Sequence, residues 1–484
     1  MEEADLRRVQ ESEVRRRLWL ALALAAAARL APLFLGYEHY GDSPVRIEAA
    51  ERWAAQPHLW RGFAESFQYG PLHLTLLGLA GRLLGDRVAG ARALSLLCGL
   101  AGVALLFRLA RRERGVEAAW WAALGLALSP LHIQASTTGA SEAVFLALFL
   151  GALVLLLEDR LVLAAVALGA AGLVRYDGWM YLPLFALLYY WRKRDAARAL
   201  GFACLAAAPA LFWMWVNHKY AGDAFAPIRY IDQDHAALAQ MALHWFGQLR
   251  WRAYGLVYWP LAVLLLATPV LGWFALRGSF NQLVERLPGR DLVALAWLPA
   301  LYLTFRTAVL ADFRPMARFA MVPAAISLLF AFGPSLVRWR AVALAVLVAT
   351  PLALFGASWN REGAVAEWAR PLSPVSSLPP GIAQAAQWLK HNSSPEDIVL
   401  LDGVWDYLDI PLAFAAGLPD HQWIRASWTD DFERRLARHQ PTLAVLLYQG
   451  RLGDWTKDEF GFRGVRFCLA QRFQFATIYR RCQR

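Results

Sequence analysis

The sequence predicts a mostly α-helical, polytopic membrane bundle of about eleven spans, followed by a small extracytoplasmic α/β domain at its C-terminal end. Three observations lead there. The 484-residue chain is 58% hydrophobic and only 18% charged, whereas globular domains carry charge on about a quarter of their residues. Its apolar runs reach the roughly 17–25 residues that cross a bilayer core. Its net charge of +11 sits in the connectors between those runs: from Ser358 onward fifteen Lys and Arg face fourteen Asp and Glu, leaving +10 for the apolar part. Charge placed in this way sets topology, and no basic stripe of the nucleic-acid-binding kind is visible.

Five arginines (Arg7, Arg8, Arg15, Arg16, Arg17) precede the first run, 18–36. They hold residues 1–17 in the cytoplasm. No small-residue cleavage site follows, so this span is a retained anchor. Further spans are predicted at 88–110, 116–132, 141–157, 160–175, 178–191, 199–217, 253–276, 291–309, 317–337 and 340–357. The basic connectors Arg108–Arg114, Arg160 and Arg192–Arg194 then fall inside, with Arg277, Arg286, Arg290, Arg338 and Arg340. Long outer loops cover 37–87 and 217–252. The stretch Tyr69–Gly85 is read as a helix in the outer interface, because a crossing there would put Arg111, Arg112 and Arg114 outside. An odd number of spans places the tail on the far side. Four lysines against forty-five arginines, with abundant Ala and Leu, suggest a GC-rich bacterium and hence a bacterial inner membrane.

The membrane domain is thus 18–357, and 358–484 holds a linker and the soluble domain. A Ser/Pro-rich linker (PLSPVSSLPPG) leads to a helix at 382–391, strands at 397–401 and 443–447 with a helix at 430–439 between them, and two β-rich runs at 464–470 and 473–480. No phosphate-cradling loop or nucleophile motif appears in it. Cys468 and Cys482 lie in this tail, where a disulfide is allowed but not forced. Cys98 and Cys204 read as small residues of apolar spans.

Chemistry is concentrated at the outer ends of the spans. Asp42 emerges just beyond the first span in Tyr37-Glu38-His39-Tyr40-Gly41-Asp42-Ser43-Pro44. Either Asp42 or Ser43 caps a short helix, or Asp42 acts as a general base on an acceptor hydroxyl; the two roles are compatible. Glu142, opening the fourth span, is favoured there by the helix dipole and is equally placed to bind a sugar hydroxyl, a metal ion or a catalytic partner. A lipid-linked phosphate requires outer cations, and the candidates are Arg175, Arg318, Arg314, Lys219 and Arg229, with Arg306 behind them. Each also reads as a snorkelling arginine or lysine, and Asp177 is placed to neutralise Arg175. Arg29, inside the first span, needs a partner of its own. Tyr69, His132 and His235 are candidate substrate contacts, and Trp53 and Trp60 offer rings on which a sugar can stack.

These residues resemble a known group. The outer Asp followed by YGPLHLTLLGLAGRLLGDRVAGARALSLLCGL, then ALGLALSPLHIQASTTGASEAVFLALFLGALVLLL, LGAAGLVRYDGWMYLPL and RFAMVPAAISLLFAFG, is similar to the GT-C glycosyltransferases over about residues 15–340. Within that superfamily it resembles the branch of the protein O-mannosyltransferases, lipid A aminoarabinose transferases and their bacterial relatives. The resemblance implies an inverting sugar transfer from a polyprenyl-phosphate donor to an extracytoplasmic lipid, glycan or protein acceptor. It also implies Asp42 as base, a second acid at Glu142, and Arg175 and Arg318 facing the lipid phosphate. The acid pair usual in the first outer loop is here Asp42-Ser43. Residues 217–240, with Asp234 and His235, stand where relatives hold a mobile substrate loop. The resemblance names no certain cofactor and leaves room for a divalent metal, Mg or Mn. The rival class is a transporter or flippase of a lipid-linked saccharide; it predicts internal repeats and midplane charges, and no repeat is visible.

Overall fold

The computed structural model describes residues 2–57, 68–359, 373–403, 408–426 and 432–482; Trp60, part of the linker and the start of the expected helix at 430 lie outside these. The described chain forms two compact units. One holds the helices up to residue 356, with 371–375; the other holds Ser376 onward together with Gly36–Val45.

The first unit begins with the long helix α1 (Glu2–Leu35), whose stretch Glu11–Leu35 is long and apolar enough to cross a membrane. After it come α2 (Ser43–Ala55), which begins in the other unit, α3 (Pro71–Leu84), α4 (Arg87–Arg114), α5 (Val116–Ala127) and α6 (Pro130–Ser136). Then come α7 (Ser141–Leu157), α8 (Leu161–Val174), α9 (Tyr181–Lys193), α10 (Ala196–Ala221) and the amphipathic α11 (Ala226–Phe246). The unit ends with α12 (Gln248–Leu266), α13 (Pro269–Val284), α14 (Arg290–Phe305), α15 (Met321–Leu328) and α16 (Pro334–Trp359). Among the described residues five helices are long and apolar enough to cross a membrane alone, and a bent pair makes a sixth. The shorter apolar helices α3, α7, α8 and the segment Ala317–Leu328 accompany them.

Two expected spans are broken by prolines. The run 116–132 is α5 plus α6, bent by 64° at Leu128-Ser129 ahead of Pro130. The run 253–276 is two helices, parted at Ala267-Thr268 ahead of Pro269, with Thr268 at φ 63°. Proline crowds the preceding residue out of the α region, so each helix stops there. The last break lies at 329–333 rather than 338–339, which makes α16 longer than expected.

Ion pairs join the basic connectors at one end of this unit. Arg17 Nη1 meets Glu117 at 2.5 Å, Arg108 meets Glu158 at 2.6 Å, and Arg192 bridges Glu113 (2.9 Å) and Asp291. The starts of α5 and α14 and the ends of α4, α7 and α9 therefore share one face.

The second unit is a six-stranded sheet of order β2-β1-β3-β6-β5-β4. Its strands are β1 (Val399–Leu401), β2 (Trp423–Arg425), β3 (Leu443–Leu447), β4 (Glu459–Phe462), β5 (Val465–Arg472) and β6 (Ala476–Arg481). The first three run parallel and the rest antiparallel. Strand β3 shows how it is filled: Leu443, Val445 and Leu447 enter the core beneath α17 (Pro380–Asn392) and α18 (Asp409–Ala416), while Ala444 and Leu446 enter the opposite one. Period-two alternation with both faces buried is what a central strand requires. The short helix α19 (Phe432–Arg438) precedes β3. Cys468 and Cys482 form a disulfide with Cα atoms 5.2 Å apart, tying β5 to the end of β6.

Candidate active site

The segment that carries Asp42 belongs to the soluble unit. Tyr37 donates its N–H to Ser376 O (2.8 Å) and packs on the core containing Ile382, while the His39 ring nitrogen Nδ1 meets Ser377 O at 2.9 Å. Gly41 takes φ 51°, and the turn delivers Asp42 to the position just before α2. Asp42 is half-buried. Glu38 is 3% exposed, and its carboxylate accepts a hydrogen bond from the Ser43 hydroxyl. This loop thus holds a second acid four residues before Asp42, whereas an adjacent acid pair would place it at position 43, which is Ser.

In the membrane unit the expected residues gather around Arg175. It follows α8 in an extended conformation, which turns its guanidinium back to the start of α7. Nη1 donates to Glu142 (2.6 Å) and to the Ser141 hydroxyl (3.2 Å), while Nε and Nη2 donate to Asp177 at 3.0 and 3.3 Å. Arg175 and Glu142 are 8% and 4% exposed. Two carboxylates on one guanidinium leave this knot at −1, so Arg175 alone does not supply a cationic phosphate site.

Phe319 lies against the same guanidinium. Its ring centre is 5.4 Å from Arg175 Cζ and 5.6 Å from Arg318 Cζ, so the two arginines expected at the phosphate share one aromatic ring. Phe313 stands 5.6 Å from Phe319 and stacks at 4.3 Å on His235 of α11. Arg306, in the π-helical turn ending α14, reaches Asp232 of α11 at 2.6 Å and Asp312 at 3.1 Å. An ion pair and a stacked ring therefore hold α11 against the 306–319 segment. Arg314 is exposed beside the tyrosines Tyr254 and Tyr258 of α12. Lys219 and Arg229 take partners elsewhere: Lys219 sits 5.3 Å from the Trp215 and Tyr220 rings, and Arg229 pairs with Asp223.

Tyr69 enters through its backbone as well as its ring. Its carbonyl accepts from the Tyr176 hydroxyl (3.1 Å), which accepts in turn from Trp213 Nε1 (2.8 Å). The next residue needs to be glycine: a Cβ at Gly70 would lie 2.3 Å from the carbonyl oxygens of Leu173 and Val174, just before Arg175. Arg46 of α2, 8% exposed, lies 4.2 Å over the Tyr69 ring. It is a buried cation that no local pattern in the sequence marks.

His132 has a different task. It is fully buried, and Nδ1 lies 2.7 Å from Arg29 Nη2. Arginine only donates, so Nδ1 acts as the acceptor towards Arg29, and the carbonyl oxygen of Leu126 lies 3.2 Å from the same nitrogen. Arg29 Nη1 also donates to Ala25 O and to Ala127 O, the last carbonyl of α5. This is the partner that Arg29 lacked in the sequence, and it satisfies backbone freed by the α5–α6 bend.

Among the described residues no three His, Cys, Asp or Glu side chains converge as a metal site. Glu142 and Asp177, the acids nearest the knot, are both turned onto Arg175. No step is assigned to a metal.

Residues 25–191 match the family described as "Alpha-(1->6)-mannopyranosyltransferase, N-terminal domain". Among solved structures the chain is similar to ArnT from Cupriavidus metallidurans bound to undecaprenyl phosphate, at 15% identity and TM-score 0.60, over 95% of this chain and 97% of that one. The apo state of ArnT gives 14% identity and TM-score 0.61 over the same shares. The Archaeoglobus fulgidus oligosaccharyltransferase in complex with Zn and sulfate gives 15% and 0.48, over 89% of this chain and 67% of that one. No curated protein sequence matches. The likeness to ArnT is one of fold, and it takes in both the helical bundle and the soluble domain.

Proposed function

We propose that this is a membrane glycosyltransferase of the GT-C superfamily, and that it moves a sugar from a polyprenyl-phosphate-linked donor to an acceptor outside the cytoplasm. The observation that carries this reading is the pair Arg175 and Arg318 on one Phe319 ring, set among apolar helices. A guanidinium lying over an aromatic ring suits a group that is part isoprenoid and part phosphate. The ArnT likeness supports the same class of donor, since that protein is described with undecaprenyl phosphate bound.

In the proposed reaction Asp42 takes the proton of an acceptor hydroxyl as that oxygen attacks the anomeric carbon. The bond from that carbon to the phosphate oxygen breaks, configuration inverts, and Arg318 with neighbouring cations stabilises the phosphate that leaves. Arg175 orders this cation set through Phe319, itself held by Glu142 and Asp177. The N-terminus is cytoplasmic and the tail outside, in a bacterial inner membrane; the inward-face ion pairs and the tail disulfide support that orientation. The test is transfer by purified protein from a radiolabelled polyprenyl-phosphate sugar to a membrane extract. Incorporation of label into an acceptor is expected, whereas movement of intact donor across vesicles without transfer would replace this reading with a transporter.

A further inference from the structure

The soluble unit carries an open groove of about 660 Å³ between α17 and the turn joining β5 to β6, within the roughly 300–1,000 Å³ of small-ligand sites. Two aromatic rings and four planar amides dominate its lining: Trp388 and Phe473, with Gln384, Gln387, Gln471 and Gln474. Trp388 and Phe473 are half-buried and pack on the core containing Leu389 and Ile478, so their rings are held in place. The four glutamines are exposed. Each amide offers two donors and an acceptor in one plane.

Charge is nearly absent. No carboxylate lines the groove, and its arginine, Arg472, is engaged by Asp458 (3.0 Å) and the Lys457 carbonyl (2.8 Å). His391 and Asn392 turn back onto carbonyls of their own helix. Such a surface does not select an anion. It suits a neutral ligand with apolar C–H faces and a rim of hydroxyls: the faces lie on aromatic rings, whose π-clouds attract C–H edges, and the hydroxyls pair with amides. A peptide groove of this size would be expected to offer aliphatic pockets, and no aliphatic residue lines this one.

We propose that this groove binds a neutral oligosaccharide, as a docking subsite for the glycan part of the acceptor. The identity of that ligand as acceptor rests on the glycosyltransferase reading; the binding itself does not.

Calorimetry on the full-length protein in detergent, without donor, tests it with mannotriose, maltotriose and cellotriose as probes. At least one should bind saturably. The Gln387→Ala/Gln474→Ala double variant, altered only at exposed side chains, should weaken that binding about tenfold or more, and Trp388→Ala should weaken it further. Absence of saturable binding of all three overturns the proposal, as does unchanged affinity in both variants or displacement of the sugar by an unrelated peptide. Asp42→Asn separates the two readings: it should bind trisaccharide as the wild type does, whether or not transfer is lost.

Discussion

Asp42→Asn keeps the size of the side chain and an oxygen at the helix start, but it cannot accept a proton. The variant should insert and bind donor normally and lose roughly 10²–10⁴-fold in transfer rate; wild-type turnover would move the search for the base to Glu38 or Glu142. The two arginines on Phe319 separate by burial. Arg318→Ala should weaken donor binding by roughly 1.5–3 kcal/mol, about tenfold to hundredfold, without unfolding. Arg175→Ala instead strands Glu142, which is 4% exposed, and breaking such a pair costs about 3–5 kcal/mol. Thermal unfolding would show it, and an unchanged midpoint would argue against a structural role for the pair. The pairing with Asp177 was legible because it lies two residues away. Glu142 comes from another helix, thirty-three positions upstream, and no local pattern marks that contact; Arg46 and Glu38 escaped for the same reason, since burial is a property of the assembled helices.

The bent pair α5–α6 shows where reading by element stops. The run 116–132 has the length and polarity of one span, and hydropathy averages over Pro130. Only in the fold does Ala127 O need a donor, and Arg29 supplies it from α1. Arg29→Met should leave that carbonyl unsatisfied in an apolar interior and cost roughly 1–3 kcal/mol, read as a lower unfolding temperature in detergent; an unaltered midpoint would assign the bend to proline alone. In the soluble unit, strand β3 was legible at its true bounds because five consecutive apolar residues mark a strand buried on both faces. Strand β2, three residues long, leaves too little pattern to read. The loop after β3 is set by Asp402, fully buried, which accepts from the N–H groups of Leu447, Arg451 and Leu452. Burial pushes this carboxyl above its usual value of 3.8 despite those donors. Its stabilising contribution is therefore full below 3.8 and fades as pH rises through the raised native value. A Cβ at Gly450 would fall 1.7 Å from Asp402 Oδ2, so Gly450→Ala should destabilise by about 1–3 kcal/mol, measured by thermal unfolding.

For the whole molecule, composition and connector charge were enough to give a helical membrane bundle with a soluble α/β tail. The count of eleven spans rests on the sequence, and within it the run expected at 253–276 is two helices. The orientation is testable through the tail cysteines. After reduction, Cys468 and Cys482 should react in intact cells with an impermeant thiol reagent, while Cys98 and Cys204, in apolar helices, should not. Labelling of the tail cysteines only after the inner membrane is opened would reverse the topology.

Gly36–Val45 sits with the tail although most of the membrane helices lie between them in sequence. A linear domain boundary therefore misdescribes how the chain divides. A chimera that exchanges tails between two such proteins would set a foreign surface against Tyr37 and His39, so the graft has to carry residues 36–45 along with 376–484, two pieces from opposite ends of the gene.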